Sequence, residues 1–306
     1  MNASEVVLFP QLRDPNEERR SMRLRHAHQC ALTLLLLGCA SPRPPQPTAP
    51  QPVATTPVPI TATTSSWTLG FVPGTIAYQI SRTGVVESRS DSVPRRETAA
   101  SSSHETIALE QTGDTIRFAA TVDTFSTTAQ GSVLPQQSAA LPFRLSGFFT
   151  GDTIQISNTD MTDQCLAVAT ALITDIHNLL PQFPRSLSTT SRWNDSTNVV
   201  GCQGTIPIRS RVSHSYSVVG ETSYENSPVL VIQRADSIHA EGEGAKQQHR
   251  LLLTAIGTGN ATYYVDARTS YVVHLTVNQD IDLTITTSGK ANHFRQNAKQ
   301  EFSLVR

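Results

Sequence analysis

Charge is scarce in this sequence. Asp, Glu, Lys and Arg make up 16% of its 306 residues and nearly cancel, to a formal net charge of −1, where about a quarter of a globular chain is usually charged. Of 24 basic residues only Lys246, Lys290 and Lys299 are lysines. No basic stripe exists, which excludes nucleic-acid binding. Aromatic residues are also few, at 6%. The usual signatures of catalysis are missing: there is no G-x-S-x-G elbow, no H-E-x-x-H and no P-loop. No C-x-x-C or paired-His spacing suggests zinc, and Asp280-x-Asp282 lacks the glycine and final glutamate of a calcium loop. These absences predict a protein that is not an enzyme and holds no metal or cofactor. Near-neutrality with 38% apolar residues excludes a wholly disordered chain.

No apolar run reaches the roughly 20 residues that a bilayer core of about 30 Å requires. The one concentrated run, Cys30 to Leu37, has the length of a signal-peptide core and follows the basic stretch Met22-Arg23-Leu24-Arg25-His26. It ends in Leu36-Leu37-Gly38-Cys39, which resembles the lipobox of bacterial lipoproteins. That resemblance implies a thioether-linked lipid on Cys39, with further acylation of the new amino terminus to give a stable anchor. Residues 1–21 do not resemble the start of a signal peptide, so the start is expected at Met22 and the signal at 22–38. Ala40, rather than Asp, follows the cysteine. In a diderm bacterium this resemblance implies the outer membrane, facing the periplasm.

With Cys30 removed and Cys39 lipidated, Cys165 and Cys202 remain. An oxidising compartment makes a disulfide the simplest expectation, with two free buried thiols as the alternative. Its loop of 37 residues (202 − 165) would stabilise by about 4 kcal/mol in the chain-entropy model. Residues 39–66 carry eight prolines between Pro42 and Pro59, among Gln, Ala and Thr. Proline at this density prevents helix and central strand. An extended tether is expected, reaching roughly 80 Å at about 3.1 Å per residue.

From residue 67 to 306 one β-rich domain is expected. Ile116, Phe118, Ala120 and Val122 alternate with Thr115, Arg117, Thr121 and Asp123. Later, Tyr271, Val273, Leu275, Val277, Ile281, Leu283 and Ile285 share one face, interrupted only by Gln279. Strict alternation means a sheet that is wet on one side. Fifteen such residues span roughly 50 Å, which requires a twisted, curved or bulged strand. Thr112-Gly113-Asp114-Thr115-Ile116 and Thr150-Gly151-Asp152-Thr153-Ile154 repeat as hairpin turns, and Thr258-Gly259-Asn260 suggests a third. Further strands are expected near 74–82, 103–111, 142–149, 205–219, 228–239, 249–256 and 293–304, about ten in all. One helix is predicted at about 163–180, capped by Thr162 and Asp163 and ended by Pro181. Its stripe is Leu166, Ala169, Ile173, Ile176 and Leu180. Residues 181–200, with Trp193, read as a loop. His214 alternates with Val212, Tyr216 and Val218, which points it inward.

The expected fold is thus mainly β: a large curved antiparallel sheet, half-barrel or sandwich with one packed helix. Lipobox, tether, long curved strands and a packed helix together resemble half-barrel periplasmic lipoproteins related to lipoprotein carriers and mycobacterial lipid-binding lipoproteins. The segment Leu180-Pro181-Gln182-Phe183-Pro184 to Trp193, and Gly257-Thr258-Gly259 to Tyr263-Tyr264-Val265-Asp266, resemble uncharacterised bacterial lipoprotein domains. No functional residue carries over. The expected function is non-catalytic binding of a hydrophobic ligand or an envelope protein, with the 271–285 face as the candidate surface. A module with a self-filled core, or a hydrolase with dispersed catalytic residues, are the alternatives.

Overall fold

A computed structural model describes residues 65–70, 72–89, 96–113, 115–129, 141–150, 153–158, 167–203, 206–246 and 249–305. The signal, Cys39, the tether up to residue 64 and Cys165 lie outside the described residues, so the expected lipidation and the Cys165–Cys202 pairing do too; Ser66, expected to end the tether, already belongs to the first strand. In chain order the elements are β1 (Ser66–Thr68), β2 (Gly74–Ser88), β3 (Arg96–Thr112), β4 (Thr115–Ala129), β5 (Phe143–Thr150), β6 (Thr153–Asn158), α1 (Ala167–Leu179), β7 (Ser186–Ser188), β8 (Arg192–Gln203), β9 (Ile206–Tyr224), β10 (Ser227–Lys246), β11 (His249–Val265), β12 (Val272–Thr287) and β13 (Lys290–Val305).

Eleven strands form one antiparallel sheet in the order β6-β5-β4-β3-β2-β13-β12-β11-β10-β9-β8, and β1 pairs with β7 apart from it. Every neighbouring pair but one is a direct hairpin neighbour in sequence. The exception, β2 beside β13, joins the start of the domain to its end. The strands are long because period-two sequences continue without a breaker. Strand β10 alone has 20 residues, roughly 65 Å at full extension.

Such strands twist, and the sheet curls so that its inner face surrounds α1. The helix packs on β8 at one extreme of the sheet and on β4 and β5 near the other. A helix lying in a trough is covered on more than one side, and the residues of α1 show it. Val168, Ala169, Leu172, Ile176 and Leu179 are all buried, with Leu180 just after. The sequence stripe captured only part of that set, because it assumed a helix lying on a sheet rather than inside one. Pro181 follows the helix as expected, and the helical start at Thr162 and Asp163 lies outside the described residues.

Several sequence expectations need correction. The Thr112–Thr115 hairpin forms around Gly113, whose φ is +61°. Thr150 likewise pairs with Thr153. Thr258-Gly259-Asn260 is not a turn, because β11 runs through it without a break. Gly257 and Gly259 are needed for close approach instead: a Cβ on Gly257 would stand 2.5 Å from the Asp280 carbonyl oxygen. Two-residue hairpins are made instead by Glu225-Asn226 and, at the opposite end of the strands, by Ser288-Gly289, all with positive φ. Residues 181–200 are not one long loop. They contain β7 and most of β8, an edge strand rich in Asn, Ser and Asp whose weak β-propensity concealed it.

Because α1 fills the trough, its large residues should dominate stability. Leu172→Ala is expected to cost about 2–5 kcal/mol, to be read as a lowered urea midpoint at unchanged m-value.

Candidate functional site

The pairing register extends each inner-facing position into a row across the sheet. One such row is Asp195, His214, Asp236, Gly259, Gln279, Ala298, Gly84 and Ala99, from β8 to β3. The row beside it is Trp193, Tyr216, Arg234, Ala261, Val277, Gln300, Arg82 and Ser101. The first row, together with Arg234, Gln300, Arg82 and Ser101 of the second, places polar or small residues on the inner face, while Tyr216, Ala261 and Val277 of the second row belong to the larger apolar cluster on one side of it. These polar and small residues form a polar belt that divides the inner face into two apolar clusters. The larger holds Val168, Leu172, Ile173, Ile176 and Leu179 of the helix, with Tyr78, Ile80, Leu230, Ile232, Leu275 and Phe302. The smaller is Val86, Ile206, Ala240, Leu251, Leu253, Ala255, Leu283 and Phe294, with Ile208, Ile281 and Ile285 against it, and contains no helix residue.

Within the belt, two arginines reach the helix from different parts of the sheet. Arg82 on β2 donates to Asp175 of α1, to Ser103 Oγ at 3.1 Å and to Glu105 Oε1 at 3.4 Å. Arg234 on β10 donates to Asn178 Oδ1 of α1 at 3.1 Å, to Asp236 Oδ2 at 2.9 Å and to the Tyr263 hydroxyl. Asp175, Glu105 and Asp236 are all buried. Burial alone would make each carboxylate costly, so the guanidinium partners are required.

Around Arg82 one cation faces two carboxyls, and the charges do not balance. Burial, and then the Asp175 charge, push Glu105 up to about 9 against the pull of Arg82. Burial raises Asp175 as well, with Arg82 opposing it. The trio therefore folds with a proton that the unfolded chain gives up at ordinary carboxyl pH. Around Arg234 the balance is opposite. Burial works to raise Asp236, but the hydrogen bond from His214 and then the Arg234 charge outweigh it, and Asp236 lies below the usual carboxylate range.

His214 sits between two acids of its row. Its Nδ1 is 2.7 Å from Asp236 Oδ1, and its Nε2 is 3.1 Å from Thr197 Oγ1. Burial raises the pKa of Asp195, on the other side. Hydroxyl, imidazole and carboxylate thus stand in line, an order in which His214 Nε2 can accept the Thr197 proton while the Asp236 carboxylate orients the ring and stabilises its charged form. Trp193 stacks on Tyr216 at 4.9 Å and 3°, and Phe183 meets both edge-on. The segment around Phe183 and Trp193 is therefore an aromatic wall beside His214.

The predicted candidate face is divided by this geometry. Tyr271 precedes β12, and its hydroxyl donates to the Val72 carbonyl at 2.6 Å. Val273 is the extra residue of a bulge, since Val265 pairs with Val272 while Tyr264 pairs with His274. Val272, not Val273, therefore joins the larger cluster. Leu275 and Val277 lie in the larger cluster, while Ile281, Leu283 and Ile285 belong to the smaller. Gln279, which interrupts the face in sequence, is the belt itself. Asp280 and Asp282 are strand carboxylates, paired with Arg295 and Arg89. Among the described residues no His, Cys, Asp and Glu group could hold a metal. Arg82, Glu105, Asp175, Arg234 and Asp236 were missed by sequence reading, although the parity of their strands places the sheet residues inside.

No protein-family model and no curated protein matches the sequence. One solved structure, described as "Asymmetric conductivity of engineered proteins", aligns with 74% of this chain and 100% of its own, at 6% identity and a TM-score of 0.22. So low a score carries no argument about fold or function.

The Arg82 trio sets a pH dependence. A carboxyl whose pKa is raised by folding contributes stability at low pH and loses it as pH rises from the unfolded value of 4.5 toward about 9. The stability of the protein relative to Glu105→Gln should therefore fall between pH 5 and pH 9. Urea midpoints of the two proteins that shift in parallel with pH would contradict this.

Proposed function

We propose that this protein is a non-catalytic lipoprotein, anchored through Cys39 in the envelope, whose β-domain binds an apolar ligand on the inner face of its sheet. The observation that supports this reading best is the smaller apolar cluster. Its members come from β2 and β9 to β13 and bury one another through sheet curvature alone. The larger cluster is already filled by α1, so the ligand belongs on the other side of the belt. A cluster closed only by curvature opens when the strands uncurl slightly, without breaking a helix from its ion pairs. An acyl chain laid there gains about 25 cal/mol for each Å² of apolar surface removed from water. Leu253, Leu283 and Phe294 line the middle of this path, and Gln279 and Gln296 can meet a polar head at its belt end. The tether supports the same reading, since it lets a binding domain work away from its membrane anchor.

Two measurements test the proposal. Fatty-acid radiolabel should enter the protein but not Cys39→Ala; labelled mutant would end the anchor assignment. The unanchored Cys39→Ala protein should bind cis-parinaric acid saturably, and Leu253→Trp, which fills the cluster, should weaken that binding at least tenfold. Absence of saturable binding would leave the self-filled interaction module in its place.

A second reading, a hydrolase, is favoured by one observation: the Thr197, His214 and Asp236 line described above, in which a hydroxyl contacts a base oriented by an acid. A fluorophosphonate probe separates the readings. The binding-protein reading expects no adduct, whereas labelling lost in Thr197→Val and His214→Ala would replace it with catalysis.

A further inference from the structure

The outer face of the sheet carries a groove across β2, β13, β12 and β11, at the level of the belt inside. Its cavity volume is about 430 Å³. The floor is the backbone of Gly84, Ala298, Gln279 and Gly259, one register row. Three of these four have little or no side chain on the inner face, which lets the backbone dip inward there. The walls are two outward rows, Thr83-Lys299-Asn278-Asn260 and Val85-Asn297-Asp280-Thr258.

The chemistry of these walls is specific in what it leaves available. Both charged side chains are already neutralised by neighbours. Asp280 accepts from Arg295 Nε at 2.9 Å, and Lys299 Nζ lies 2.6 Å from Glu301. What remains is uncharged. Asn278 Nδ2 donates to Asn260 Oδ1 at 3.1 Å. That bond fixes both amides and leaves a donor on Asn260 and an acceptor on Asn278 for a ligand. Thr83 and Thr258 add hydroxyls that both donate and accept. An anionic chain would find no unpaired cation here, and an apolar one would strand these groups without partners. A chain bearing many neutral hydroxyls matches both requirements, and four strands at about 4.8 Å spacing give it a path of about 14 Å.

We infer that this outer groove binds a neutral polyhydroxylated chain, a glycan, independently of any ligand on the inner face. The test titrates the full chain with two uncharged probes, the β-1,4-linked pentamer of N-acetylglucosamine and maltopentaose. A sulfated heparin fragment and a Ser-Gly peptide serve as contrasts. Saturable binding of at least one neutral oligosaccharide is expected. It should weaken tenfold or more in Asn260→Ala/Asn278→Ala, whose circular dichroism and cis-parinaric acid binding stay unchanged. The inference is overturned if neither oligosaccharide saturates, if the double variant binds like the wild type, or if only the heparin fragment or the peptide binds. None of these outcomes alters the acyl-binding measurement, so the two sites stand or fall separately.

Discussion

An antiparallel sheet of eleven strands, most of them long, has a great deal of inner face, and among the described residues one helix of 13 residues lies within it. That disparity shapes the rest of the molecule. The sheet must curl until its two ends meet the same helix, which is why α1 touches both β8 and the β4–β5 region and is buried almost all round. Even so, the helix serves only one end of strands that run up to 20 residues. The other end has to close on itself, and does so through small residues and sharp curvature, as at Gly257.

The boundary between these two ends is polar, and its chemistry follows from the helix. A buried helix carrying Asp175 and Asn178 needs partners within the trough, and Arg82 and Arg234 supply them. Each arginine then needs its own acids, which brings in Glu105 and Asp236, and Asp236 in turn orients His214. The belt is thus a chain of mutual requirements and not a scatter of buried polar groups. It fixes where along the strands the helix sits, since an aliphatic interface alone would tolerate sliding by one pleat. It also separates a filled apolar compartment from one that no helix occupies, and on that division the binding proposal rests.

Much of the fold was legible in the sequence because period-two alternation survives over whole strands. The strand read from Tyr271 to Ile285 appears as Val272–Thr287, and the Thr-Gly-Asp repeats flank hairpins where expected. Where the sequence misled, the cause was physical in each case. Gly259-Asn260 has the composition of a turn, yet glycine also serves close approach between strands. β8 is an edge strand with one neighbour and tolerates Asn, Ser and Asp, so it looked like loop. Val273 follows the alternation and is buried, but a bulge puts its neighbour Val272 into the larger cluster. The belt was half visible, since Gln279 and His214 both stood out as polar residues on apolar parity. Arg234 and Asp236 obey the same parity between Ile232 and Ile238. Their pairing with α1 depends on how far the sheet curls, which no local pattern encodes.

The central claim is that the inner face has two compartments and that the one without the helix takes an apolar ligand. Methyl-labelled NMR of the isoleucine, leucine and valine side chains, with a long-chain fatty acid titrated in, tests it most directly. The account expects saturable shifts at Leu251, Leu253 and Leu283, with Leu172, Ile176 and Leu230 beside the helix unmoved. Shifts confined to the helix residues, or no shift in either cluster, would contradict it.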